Sequence, residues 1–147
     1  MSVIHKSVIA FVPANTPNPH PKPSAPRLKK FSRSQSLTLW HRVTLRTVQQ
    51  KDPDLTTRQL ALLMSVYLGT GPHTVKSLAL QLGVTKAVIS RAIDRLCKYE
   101  FIQRAPDPAD GRSVLLKRTS AGIHYLQRFA DVIQTELPDG ARLLGEG

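Results

Sequence analysis

Only Gly83, Val84 and Thr85 separate two helical patterns in the middle of this chain, and no other feature restricts the fold as much. Thr74 is placed to cap a short helix that carries Leu78, Ala79 and Leu82 on one face, and Gly83 supplies the left-handed residue that a helix C-terminus prefers. Thr85 is placed to cap the next helix, from Lys86 to about Glu100, with Val84 and Ile89 as its hydrophobic staple. Ala79 is small where the two helices must approach, Gly83 stands at the turn, and Ile89 fills the angle between the helices. Two short helices joined in this way form a helix-turn-helix.

The flanking segments extend that unit. From residue 36 to Gln50, Leu37, Trp40, Val43, Leu45 and Val48 recur at loosely helical intervals until Lys51 to Asp54 breaks the pattern. Thr56 and Gln59 form a capping box with Leu55 and Leu60 at the staple positions, so a helix is expected through about Leu68, ended by Gly69 to Pro72. After Glu100 the period changes. Phe101 to Ala105 reads as a strand, Pro106 to Gly111 as a loop with an Asp-Gly hairpin signal, and Arg112 to Arg118 as the return strand. Thr119 then caps a last helix, ended by Pro138 to Gly140. Ile123, Leu126, Ala130, Ile133 and Leu137 form one apolar row along it, and Tyr125, Phe129 and Val132 a second row beside the first. The expected fold class is mainly α with a small β-hairpin wing: a winged helix-turn-helix flanked by N- and C-terminal helices. The expected organisation is a disordered basic arm at 1–35, an N-terminal helix at 36–52 that can supply a dimer contact, the winged helix-turn-helix at 53–119 and a C-terminal helix at 120–147 for dimerisation.

Charge narrows the partner. The 147 residues hold 21 Lys and Arg against 10 Asp and Glu, a formal net charge of +11. Such a field favours a polyanion: nucleic acid first, an anionic membrane surface second. Residues 1–35 carry Lys6, Lys22, Arg27, Lys29, Lys30 and Arg33, no acid, and six of the 11 prolines. That arm cannot bury enough apolar surface to offset its ordering entropy. It reads as a charged solubilising leader or a mis-assigned start, or else as a phosphate-contacting arm. No apolar run approaches the roughly 18–20 residues of a membrane span, and no secretion signal is expected at the start. The single cysteine, Cys97, leaves no disulfide within the chain. Cys97 lies at the edge of the second helix's buried face and reads as a small packing residue. The other reading is a redox-sensitive thiol, its pKa lowered by Arg95 and Lys98. The five histidines are scattered, and neither a phosphate loop nor a nucleophile elbow occurs, so no enzyme activity, cofactor or metal is expected.

The second helix has the composition a major-groove helix needs. With Ile89 at the centre of its buried face, Ile93 and Leu96 fall within about 40° of it at 100° per residue, and Ala87, Arg91, Asp94 and Lys98 fall opposite. Thr85, Lys86 and Ser90 lie on the flank near the N-terminus, where free N–H groups favour phosphate. Lys86 or Arg91 can donate to guanine acceptors, and the Ala87 methyl can meet a thymine methyl. Arg95 adds a further cation. The hairpin tip holds Asp110, Gly111 and Arg112, flanked by Arg104, Lys117 and Arg118. A narrow minor groove favours an inserted arginine, and Arg112 is placed for one. Asp110 can direct its guanidinium by a bidentate pair, or it is there for its turn propensity alone; Asp94 is a second partner for Arg112.

These residues carry a resemblance. Leu55, Thr56, Gln59 and Leu62 are followed by Ser77-Leu78-Ala79 with Leu82-Gly83, and then by Ser90-Arg91-Ala92-Ile93-Asp94-Arg95-Leu96. The run Asp107-Pro108-Ala109-Asp110-Gly111-Arg112-Ser113 follows, and Leu116 with Thr119-Ser120-Ala121-Gly122 completes the set. Over about half the chain this resembles the winged-helix core of the MarR family of bacterial transcription regulators. The resemblance implies a homodimer on a pseudo-palindromic operator, usually as a repressor, with Arg112 in the minor groove. The family's pocket for a small-molecule effector lies between the dimer helices and the DNA-binding core. This chain has one helix after the wing where the family has two, and Glu100 where the family has glycine. The expected function is sequence-specific binding of double-stranded DNA in the cytoplasm, at the nucleoid, away from any membrane. The competing readings are a protein-interaction module and a non-specific nucleoid-associated DNA binder.

Overall fold

The computed structural model describes residues 31–138. It contains α1 (Arg33–Gln49), α2 (Thr57–Leu68), α3 (Val75–Leu82), α4 (Lys86–Lys98), β1 (Ile102–Pro106), β2 (Val114–Arg118) and α5 (Ser120–Glu136). The predicted element order is the observed one. The basic arm lies, up to Lys30, outside the described residues. Residues 33–35, expected in that arm, are instead the first turn of α1. Ser32 caps that helix and forms a capping box with Gln35, a signal that the preceding prolines obscured.

Local rules account for the other boundaries. The Thr56–Gln59 capping box opens α2, and Thr74 forms a further box with Ser77 at the start of α3. Gly83 is left-handed, with φ 65°, so that the Val84 N–H reaches back to the Ala79 carbonyl. Thr85 caps α4 through the Val88 N–H. Helix α4 ends at Lys98, earlier than the sequence suggested, because a left-handed residue follows: Glu100, with φ 58°. The Glu100 N–H donates to the Cys97 carbonyl and the Phe101 N–H to the Leu96 carbonyl, a Schellman ending built without glycine.

The core sits where α2, α3, α4, the hairpin and the start of α5 meet. In α4 the buried positions are Ile89, Ala92, Ile93 and Leu96, one face at helical spacing. They pack with Leu62, Leu63, Val66, Leu78, Ile102, Leu116 and Tyr125. The hairpin is antiparallel with Ile102 opposite Arg118 and Pro106 opposite Val114, so Leu116 points into this core. Backbone at His73 and Thr74 joins its outer side, the His73 carbonyl accepting from the Leu116 N–H at 2.9 Å. A smaller cluster of Val43, Phe129 and Val132 joins α1 to α5. Of the two apolar rows on α5, Tyr125, Phe129 and Val132 are the buried one; Ile123 and Ala130 are exposed.

Tyr67 holds the junction of α2, the hairpin and α5. Its hydroxyl accepts the Thr119 N–H at 2.8 Å and lies 2.7 Å from the Phe101 carbonyl oxygen. Gly122 packs against this hydroxyl so closely that a Cβ there would overlap both the Tyr67 oxygen and the Phe101 carbonyl oxygen.

Candidate nucleic-acid interface

Helix α4 presents its buried face to the core and leaves Thr85, Lys86, Ala87, Arg91, Asp94, Arg95 and Lys98 exposed, with Ser90 half-buried. Its first turn contains no acid, so no carboxylate of the helix offsets the positive end of its dipole, and the Thr85 hydroxyl accepts the Val88 N–H. Strand β1 packs against α4 and carries Arg104, and Lys117 is exposed on β2. The wing tip between the strands carries Asp110 and Arg112.

The tip is a loop, as the sequence suggested, but it extends past Gly111, and its Asp-Gly step lies in a turn closed by the Ser113 N–H on the Asp110 carbonyl at 2.9 Å. Seven residues, 107–113, connect the strands, and Gly111 is not left-handed. The Asp107 N–H donates to the Ser113 carbonyl at 3.1 Å across the base of the loop, and side chains order it further. Asp107 Oδ1 accepts the Ala109 N–H at 2.9 Å, Asp110 Oδ1 the Arg112 N–H at 3.0 Å, and Asp110 Oδ2 the Ser113 hydroxyl at 2.9 Å. The Arg112 N–H and then the Ser113 hydroxyl hold the Asp110 carboxyl below its ordinary pKa. Asp110 therefore grips the backbone of Arg112, not its guanidinium, which finds no side-chain partner among the described residues.

Asp94 does not reach Arg112 either. It pairs with Arg104 across from α4 to β1, with 2.5 Å between Oδ1 and Nη2. Arg95 lies with its guanidinium 5.0 Å from the centre of the Tyr99 ring. Arg118, expected among the wing cations, is structural: its Nε donates to the Val66 carbonyl at 2.9 Å and Nη2 to the Gly69 carbonyl, closing the end of α2. Of the acids near the helix and wing, Asp94, Asp107 and Asp110 are thus engaged within the protein and Glu100, between α4 and β1, is exposed; Lys86, Arg91, Lys98, Arg112 and Lys117 are exposed as well.

Cys97 is half-buried against the core. Burial pushes its thiol pKa up, against the lowering by the Arg104 guanidinium, with Asp94 adding a small push upward. The shift is opposite to the one a reactive thiolate needs. Tyr67 and Asp52 have roles the sequence did not reveal. Asp52, in the loop after α1, forms a two-point pair with Arg128 on α5, 2.8 and 2.6 Å. Its partner is 76 residues away, so no local pattern marks it.

Beyond the DNA-binding-type unit, α1 keeps an apolar stripe uncovered: Leu37 at 71% exposure, Trp40 at 58% and Val48 at 63%, with Leu45 beside them. At 100° per residue Leu37 and Val48 lie opposite Leu39, which with Val43 faces α5, whereas Trp40 sits nearer the buried face, about 60° from Val43.

Comparison with known proteins agrees with this architecture. Residues 55–114 match the MarR family. The HTH-type transcriptional repressor NicR of Pseudomonas putida is 31% identical over 100 residues, 67% of this chain. That stretch covers 63% of NicR, so the chain spans less than two thirds of the length of the curated relative it matches. The transcriptional regulator Tm0710 from Thermotoga maritima superimposes with a TM-score of 0.61 at 24% identity, over 78% of both chains. MepR of S. aureus, in a complex with DNA, superimposes with a TM-score of 0.59 at 22% identity, over 70% of this chain and 82% of its own.

Proposed function

We propose that this chain, which belongs to the MarR family of transcriptional regulators through residues 55–114, acts as a sequence-specific repressor on double-stranded DNA. In this reading α4 enters the major groove. Lys86 and Arg91 donate to guanine acceptors, Ala87 meets a thymine methyl, and Thr85, Ser90, Arg95 and Lys117 contact the backbone. Arg112 enters the adjacent minor groove. The observation that carries the reading is the acid-free first turn of α4, with exposed Lys86 and Arg91, next to a wing where Asp110 holds the backbone of the tip arginine and leaves its guanidinium available.

A homodimer on a pseudo-palindromic operator completes the proposal. Its support is the uncovered Leu37, Trp40 and Val48 stripe on α1 together with exposed Ile123 on α5. Scattered exposed apolar residues are ordinary; three large ones within about 80° on one helix face suit a partner surface better than open solvent. A second copy of this chain presents the same stripe, which suits a two-fold contact. Work takes place in the cytoplasm on this reading, and among the described residues no helix is long and apolar enough to cross a membrane.

Selection of duplexes from a randomised pool by the full chain tests the function. Enrichment of an inverted repeat, bound with an affinity that falls steeply with salt, is the expected result. A chain that enriches no motif, or whose binding is insensitive to salt, would overturn the reading. A reporter carrying the selected duplex beside its promoter distinguishes repression from activation.

A further inference from the structure

The ion pair between Asp94 and Arg104 is placed on two elements that read different grooves in the proposed function. Asp94 lies on the face of α4 opposite Ile89, beside Arg91 and Lys98. Arg104 lies on β1, the strand that leads to the wing tip. Both side chains are largely exposed, 65% for Asp94 and 44% for Arg104. An exposed pair of this kind adds little to folding stability. Its position nonetheless has a cost for binding a polyanion, since it puts a carboxylate among the cations that would approach phosphate.

We infer that Asp94 and Arg104 are positioning residues: the pair fixes the angle between α4 and the wing, so that base-reading side chains and Arg112 address the two grooves in register. This rests on the DNA-binding reading above and assigns to Arg104 a role other than the direct contact suggested by sequence. The rest of the geometry fits. Strand β1 starts at Ile102, two residues after the left-handed Glu100, so the chain reverses sharply between helix and strand. The Schellman hydrogen bonds fix that reversal at its root, and the Asp94–Arg104 contact ties the strand back to the helix further along. Arg104 Nη1 also lies 4.0 Å from Cys97 Sγ, so its guanidinium bridges two positions of α4. A wing free to swing would keep its charge and its general affinity for DNA but would lose the coupling between the two readouts.

The test compares the full chain with Asp94→Asn, Arg104→Gln and the charge-reversed pair Asp94→Arg with Arg104→Asp. The probes are a duplex selected by the wild-type chain and a shuffled duplex of the same composition. The expected result for Asp94→Asn is tighter binding to the shuffled duplex, because a negative charge is gone, with a specific-to-shuffled ratio lower by roughly three- to tenfold. Arg104→Gln lowers the ratio by a similar factor. The reversed pair restores it at least in part, with net charge unchanged. Thermal melting stays close to wild type throughout. If Asp94→Asn shifts both affinities alike, the pair is a solvated surface contact and the inference is wrong. If only Arg104 variants lose affinity and the reversed pair does not recover, Arg104 touches DNA directly and the positioning role falls. Failure of the wild-type chain to select any duplex would instead remove the DNA-binding reading, and this inference with it.

Discussion

Asp110 binds the main-chain N–H of Arg112 at 3.0 Å and leaves the arginine side chain projecting from the wing. The same carboxylate takes the Ser113 hydroxyl with its other oxygen. One acid thereby spans the tip and sets the direction in which Arg112 leaves the backbone.

Replacing Arg112 with alanine is expected to weaken binding to a selected duplex by about 1–3 kcal/mol and to leave folding unchanged. Asp110→Ala should lower specific binding as well, through loss of tip order, whereas Asp110→Asn should retain much of it, because an amide oxygen still accepts the Arg112 N–H. Titrations with selected and shuffled duplexes, alongside circular dichroism, check these outcomes. Equal loss in Asp110→Asn and Asp110→Ala would show that the charge, not the hydrogen bond, matters.

The depressed pKa of Asp110 sets a pH window. Its carboxyl is held below the ordinary aspartate range in the folded chain. A depressed folded pKa means that the contribution is fully present above the unfolded value and is lost as pH falls through the folded value. The tip should therefore stay ordered from neutral pH down to about pH 4 and loosen only below it. Amide chemical shifts of Arg112 and Ser113 across an acid titration report this; a transition near pH 5 would contradict it.

Gly122→Ala is expected to destabilise the fold by about 3 kcal/mol, because the added methyl meets the Tyr67 hydroxyl and the Phe101 carbonyl with no room to yield. Tyr67→Phe should cost about 1–2 kcal/mol, since the Thr119 N–H loses its acceptor. Urea unfolding with an unchanged m-value measures both.

Glu100→Gly should stabilise the chain by about 0.5–1 kcal/mol. The φ of 58° at Glu100 strains a side-chain-bearing residue, and the relief exceeds the extra entropy that glycine adds to the unfolded state. The urea midpoint should rise; a fall would show that the Glu100 side chain contributes more than its backbone costs.

Trp40→Glu combined with Val48→Glu should shift the chain to a monomer in light scattering and leave melting of the monomer nearly unaltered, since both side chains are exposed in the single chain. A marked loss of secondary structure in the double variant would instead place these residues in the folding of the monomer.

The sequence was informative wherever the interaction was local. Thr56, Thr85 and Thr119 act on backbone three residues ahead, and Gly83 acts on its own φ angle, so each boundary could be read from a few neighbouring residues. The heptad-like spacing of Ile89, Ile93 and Leu96 identified the buried face of α4 for the same reason. On α5, two apolar rows satisfied helical periodicity equally well. Only the packing of α1 and Tyr67 against the Tyr125 row settled which one faces inward.

For the candidate interface, residue types and their order along the chain determined which cations are available: Lys86, Arg91, Arg95, Arg104, Arg112, Lys117 and Arg118. Tertiary structure decided which of them are already occupied. Arg118 is committed to the carbonyls of Val66 and Gly69, and Arg104 to Asp94, while Arg112 is left unpaired. A guanidinium can bond to any acceptor within its long reach, so its partner depends on which backbone and carboxylate oxygens the fold brings near. Charge and periodicity are properties of the chain; the choice of partner is a property of the distances that folding creates.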